Sequence, residues 1–136
     1  MLKRLTPDVM VEDVARSAAF YTEVLGFQLV GRAPEEGETI DWAMLQRDAV
    51  VMMLEHRQSF AGDDLGGADQ PIGGSLVFYI DVAGVEQLYE TLKGRVKIVV
   101  DLHDAWYGRR EFAFKDLDGY VLVFAEDVPS ADAKGE

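Results

Sequence analysis

The side chains available for chemistry in this chain are few in kind. Its 136 residues include two histidines, no cysteine, 25 acidic and 13 basic residues. Without cysteine there is no disulfide framework, no thiolate metal site, no iron–sulfur cluster and no thiol nucleophile. His56 sits just past a strand-like run and His103 lies within DLHDAWYG, so they follow neither an H-x3-H nor an H-E-x-x-H spacing. Both read as loop histidines. Ser17, Ser59, Ser75 and Ser130 lack a G-x-S-x-G context, and no Gly-rich phosphate cradle opens a helix. No residue is assigned a catalytic role. What remains is the carboxylates Asp8 and Glu55, able to move a proton or meet a positive charge if a closed cavity holds them. Beside them stand three large rings, Trp42, Trp106 and Tyr107, suited to stacking on a flat heteroaromatic or holding a cation against a π face.

Charge narrows the partners. The formal net charge is −12, and the only adjacent basic pairs are Lys3-Arg4 and Arg109-Arg110. Nucleic acid and anionic membranes are poor partners for such a surface, and its excess acid either keeps the protein soluble or attracts a cationic ligand. No stretch approaches the roughly 20 apolar residues that span a bilayer, and no long apolar run follows the start MLKRLTPDVMVEDV. A cytoplasmic protein is the expectation.

The elements that must position these residues come from an internal repeat. Shifting the chain by half its 136 residues lays Asp13-Val14-Ala15 on Asp81-Val82-Ala83, Phe20-Tyr21 on Leu88-Tyr89, Gly26 on Gly94, and Arg47-Asp48 on Lys115-Asp116. Each copy opens with a short strand, 5–11 or 75–80, running into an Asp placed to cap a helix. Val14, Ala18, Tyr21 and Leu25 form one apolar helical stripe, and Val85, Leu88 and Leu92 the other. Gly26 and Gly94 stand where left-handed C-terminal caps belong. Three further strands follow in each copy: 27–32, 41–46 and 50–55, then 96–100, 110–115 and 120–125. Tight turns at 47–49 and 116–119 join the last two. The unit is βαβββ and the fold class α+β. The expected divisions are a first module over 1–55, a linker or lid at 56–73 carrying Phe60 and Leu65, a second module over 74–126, and a frayed tail at 127–136, all within one structural domain.

Strand alternation assigns faces. Val9, Val11, Val50, Met52 and Leu54, with Leu76, Phe78, Ile80, Tyr120, Leu122 and Phe124, belong under the helices. The opposite face mixes Asp8, Met10, Met53 and Glu55 with Ser75, Tyr79 and Val123, a blend of apolar lining and polar groups that suits a small-molecule pocket.

TPDVMVEDVARSAAFYTEVLGF at 6–27, WAMLQRDAVVMMLEH, SLVFYIDVAGVEQLYE and WYGRREFAFKDLDGYVLVFAED resemble the glyoxalase/bleomycin resistance/dioxygenase superfamily over nearly the whole chain. The most specific pieces are FY-x3-LGF at 20–27 and D-x-DGY at 116–120. The resemblance implies two tandem βαβββ modules whose curved mixed sheets form a half-open barrel around a cavity, and a homodimer. It also implies metal-ligand positions, which fall on Thr6, Met53, Ser75 and Val123; none is a serviceable ligand for a divalent cation. The pattern is most similar to the bleomycin resistance proteins. The expected function is therefore metal-free and cofactor-free binding of a cationic or flat aromatic small molecule in a dimer-interface cavity. Its expected ligand-binding residues are Asp8, Met10, Trp42, Met53 and Glu55 from the first module, with Ser75, Tyr79, Asp104, Trp106, Tyr107 and Val123 from the second. The alternative is a metal-dependent lyase, isomerase or dioxygenase with non-standard ligands.

Overall fold

The computed structural model describes residues 1–62 and 69–129. Two compact units meet at Ile72/Gly73. The first contains β1 (Asp8–Val11), α1 (Val14–Glu23), β2 (Gln28–Ala33), β3 (Trp42–Arg47), β4 (Val50–His56) and α2 (Arg57–Gly62). The second contains β5 (Val77–Asp81), α3 (Val85–Leu92), β6 (Lys97–Asp104), β7 (Arg109–Lys115) and β8 (Val121–Asp127). No helix among the described residues is long and apolar enough to cross a membrane.

In the first unit the strand order is β1-β4-β3-β2, with β1 parallel to β4 and the other pairs antiparallel. This is an open mixed sheet. Alternation sends Val9, Val11, Ala43, Leu45, Met52 and Leu54 to one face, where all are buried together with Val14, Ala18, Tyr21 and Leu25 of the α1 region. Asp13 caps α1 as its sequence position predicts: its Oδ1 accepts from the Arg16 N–H at 3.1 Å. Beyond the helix Gly26 takes φ 74°, and the Phe27 N–H reaches back to the Tyr21 carbonyl at 2.9 Å. Arg47 completes this end by donating from Nη1 to the Leu25 carbonyl at 2.7 Å.

The second unit repeats the order as β5-β8-β7-β6, again with one parallel pair, β5 with β8. Its core is a cluster of rings, Phe112, Phe114 and Phe124, with centroids 5.2 to 5.8 Å apart. Two expectations fail here. Asp81 does not cap α3: it lies within β5, its carboxylate pairs with Arg109, and the helix starts three residues later behind Gly84, at φ 80°. The cap comes from β8 instead, where Glu126 accepts from the Gly84 and Val85 N–H groups at 3.1 and 3.0 Å. Nor is Gly94 left-handed, because the Arg95 and Val96 N–H groups both turn back onto the Leu92 carbonyl. Glu126→Ala is expected to cost about 0.5–2 kcal/mol, the usual range for a lost N-terminal cap. A urea melt that does not move would show that water satisfies those N–H groups equally well.

The 116–119 turn forms as expected, with Asp116 Oδ1 accepting from both the Asp118 and Tyr120 N–H groups at 2.9 Å. Gly73 lies against this turn at φ 78°; a Cβ there would stand 2.5 Å from the Asp118 carbonyl oxygen.

The segment read as linker and tail is partly ordered structure. His56 extends β4 through its pairing with Val11, and 57–62 folds as α2, whose start is fastened by the Gln58 N–H on His56 Nδ1. Arg57 donates to Glu12 at 2.6 Å and to the Gln70 carbonyl at 2.8 Å, tying both ends of that connection to the β1–α1 turn. At the other end Asp127 closes β8, and the Val128 N–H donates to the Gly108 carbonyl at 2.9 Å. Leu65 and Ser130 lie outside the described residues.

Candidate functional site

The chemistry of the first unit gathers on the sheet face opposite α1. Register builds it in rows. Glu55 on β4 stands between Met10 on β1 and Trp42 on β3, and the next row runs Asp8, Met53, Met44, Gly31. Five residues expected in the site, Asp8, Met10, Trp42, Met53 and Glu55, are thus neighbours. Gly31 matters because the Trp42 ring lies across it: a Cβ at that position would meet the ring at 3.3 Å.

A cleft of about 620 Å³ opens beside these rows, lined by Asp8, Ala33, Pro34, Asp41, Trp42, Glu55 and Ser59. Its rim is held from behind. The Asp41 N–H donates to the Ala33 carbonyl at 2.8 Å, and Arg32 donates to the carbonyls of Pro34, Gly37 and Thr39, pinning the 34–39 loop. Glu55 is only 3% exposed, and its Oε2 accepts from the Ser59 hydroxyl on α2 at 2.7 Å. Asp8 differs, because its buried Oδ1 has no hydrogen-bond partner among the described residues. A buried acceptor left open costs on the order of 1–3 kcal/mol, and such atoms in folded proteins call for an explanation.

In the second unit a different set converges. The phenols of Tyr79 and Tyr107 donate to the two oxygens of one carboxylate, Glu111, at 2.7 and 2.5 Å. Glu111 is 9% exposed, while each tyrosine is about half exposed. The hydrogen bond to the Glu111 carboxylate favours the protonated phenol and pushes the pKa of Tyr107 up to about 12, with desolvation acting in the same direction. Arg109 lies beside Tyr79, its Nε–H 3.4 Å from the phenol oxygen, and pairs with Asp81 and Asp127. Val123 is the in-register neighbour of Tyr79 and of Ala113.

Three expected residues stand apart from that cluster. Asp104 is engaged by Arg110 at 2.6 and 3.1 Å, and Arg110 also reaches Glu86 of α3. Even-numbered positions of β7 face the helix, so this pair is drawn to that side. Ser75 is exposed ahead of β5, and Trp106 is 95% exposed, touching Tyr107 edge-on with centroids 5.3 Å apart. Sequence reasoning missed Asp41, which adjoins Trp42, and Glu111. Counting back by two from Ala113 along β7 would have placed Glu111 on the Tyr79 face.

The four positions that the resemblance assigns to metal ligands do not fit a divalent cation. Val123 has no donor atom, Met53 offers a thioether, and Thr6 and Ser75 neutral hydroxyls. Among the described residues no three His, Cys, Asp or Glu side chains converge to hold a metal ion.

Comparison with known proteins accords with this architecture. Residues 3–124 match the Glyoxalase/Bleomycin resistance protein/Dioxygenase superfamily. A bleomycin resistance protein of Geobacillus stearothermophilus is 31% identical over 133 residues, covering 91% of this chain and 96% of that protein; one from Staphylococcus aureus matches equally. Among solved structures, TioX from Micromonospora sp. ML1 superposes with a TM-score of 0.71 at 20% identity, covering 93% of this chain and 100% of that one. A glyoxalase/bleomycin resistance protein/dioxygenase from Nocardioides superposes with a TM-score of 0.76 at 18% identity, covering 96% and 89%. With paired mixed sheets, each carrying its helix, and a match running from residue 3 to residue 124, the chain belongs to the glyoxalase/bleomycin resistance protein/dioxygenase superfamily.

Proposed function

We propose that this protein is a cytoplasmic, homodimeric binding protein that sequesters a cationic, flat-ringed small molecule without metal or cofactor, in the manner its bleomycin resistance relatives suggest. One observation carries the reading. In the first-unit cleft, the Trp42 ring stands beside Asp8, Asp41 and Glu55, and Asp8 Oδ1 is buried with its acceptor capacity unused. With the Asp8 carboxylate turned toward the cleft that it lines, a ligand N–H would satisfy that atom, and the ring would hold the flat part of the same molecule. The net charge of −12 draws such a ligand in. For the dimer, exposed apolar residues stand at both edges of the second sheet, Leu76 and Val77 at the β5 edge and Val99 and Val100 on β6 at the other, and a second copy would cover one of these edges.

The test is a fluorescence titration with bleomycin, run beside elemental analysis of the same purified protein. Saturable quenching near one ligand per chain, with no stoichiometric metal, is the expected result. Stoichiometric zinc, nickel, iron or manganese would favour a metal-dependent enzyme and overturn the metal-free reading. Absence of quenching would remove bleomycin as ligand. Light scattering reads the dimer directly.

A further inference from the structure

Beyond the cleft, the second unit contains a polar arrangement with its own chemical preference. Glu111 is nine-tenths buried and accepts from two phenols at once. A tyrosine hydroxyl has one proton and two lone pairs. With both protons turned inward onto Glu111, the half-exposed Tyr79 and Tyr107 present only acceptor lone pairs and ring faces outward. We propose that Glu111 sets the polarity of a ligand-binding surface made by Tyr79 and Tyr107, one that takes flat cationic groups rich in N–H donors, of the amidinium class, and refuses carboxylates of the same shape.

The protein itself supplies an example of the interaction. The Arg109 guanidinium donates to the Tyr79 oxygen at 3.4 Å and lies 5.7 Å from that ring's centroid. The local charge favours a cation, since Glu111, Asp81 and Asp127 oppose the single guanidinium of Arg109. Trp106, edge-on to Tyr107, extends the aromatic surface. Glu111 is a positioning residue here, acting through the two tyrosines. The inference rests on the binding reading above only in taking the occupant to be a small molecule.

A matched pair of probes tests it: benzamidine and benzoate, nearly identical in shape and opposite in charge and hydrogen-bonding sense. In the full chain labelled with 13C-tyrosine, benzamidine is expected to shift the Tyr79 and Tyr107 ring signals saturably, and to bind at least about tenfold more tightly than benzoate. Glu111→Gln should reduce that preference by about tenfold, because the amide NH2 donates to one phenol and turns its proton outward. A purely structural role would leave the ratio intact. Should Glu111→Gln fail to fold, the wild-type ratio and Tyr107→Phe, expected to weaken benzamidine several-fold, decide the matter. Equal binding of the two probes, tyrosine signals that neither probe moves, or an unchanged ratio in Glu111→Gln would overturn the proposal. Bleomycin titration of Trp106→Phe, in which Trp42 is the remaining tryptophan, separates the two readings. Its failure with benzamidine selectivity intact removes bleomycin as the ligand and leaves the role of Glu111 standing, and the converse removes the role of Glu111 alone.

Discussion

Asp8→Asn is expected to weaken bleomycin binding about 10- to 100-fold, the range for a lost charge-assisted hydrogen bond in a desolvated site. The same substitution should leave the urea midpoint of the free protein unchanged or higher. The two signs come from one atom. In the free protein Asp8 Oδ1 is buried without a partner, so the carboxylate contributes desolvation cost and no compensating bond there. Removing its charge relieves that cost in the free protein and leaves the ligand a neutral amide oxygen in place of a charged acceptor. Isothermal calorimetry alongside urea melts would read both quantities. A variant that binds normally, or one that loses stability and binding in parallel, would show that Asp8 holds the strand rather than the ligand.

The second large effect concerns stability. Gly73→Ala should lower the unfolding free energy by about 3 kcal/mol or more. At φ 78° a residue with a Cβ is strained whatever surrounds it, and here the Cβ would also lie 2.5 Å from the Asp118 carbonyl oxygen and 3.1 Å from the Gly119 carbonyl carbon. Both neighbours are backbone, so neither can rotate away as a side chain would. The Asp116 side chain fixes that turn further by accepting from two N–H groups. Gly94→Ala is the control, with no atom within 4 Å of the added Cβ and no left-handed φ. It should be neutral or slightly stabilising. A Gly73→Ala protein that melts beside the control would mean that the 116–119 turn yields at little cost.

The parts legible in the sequence were those whose physical cause is local. Asp13 caps a helix beginning one residue later and bonds an N–H three residues on, which a reader of sequence finds by spacing. Gly26 takes the left-handed backbone that a helix end requires. That Asp8, Met10, Met53 and Glu55 share a face follows from alternation, whereas the rows they form come from the register of the sheet. Where the cause is distant, reading by spacing failed. Asp81 occupies the place of Asp13 in the repeat, yet Arg109, from a strand 28 residues away, takes its carboxylate, and the cap passes to Glu126, 41 residues from the helix start. Asp104 lies in a loop in the sequence reading and in an ion pair with Arg110 in the fold.

The same limit applies to the candidate sites. Glu111 in RREFAFK reads as an ordinary outward strand residue, because the phenols that occupy it come from 32 positions upstream and from the preceding turn. Ser59 carries no motif, and only the short α2 helix brings its hydroxyl to Glu55. The aromatic signal was right in kind and uneven in place. Trp42 lines a cleft because Gly31 leaves room for its ring, whereas Trp106 stands almost wholly in solvent.

The two helix starts also differ in when they can be completed. The side-chain cap of α1 comes from Asp13, which the ribosome adds before the helix itself, so it is in place while the chain is still growing. That of α3 comes from Glu126 in the last strand. During synthesis from the N-terminal end, the second helix therefore remains uncapped until Glu126 has been added. Two modules with one topology thus mature on different schedules: the first can finish early, and the second becomes complete only when β8 arrives.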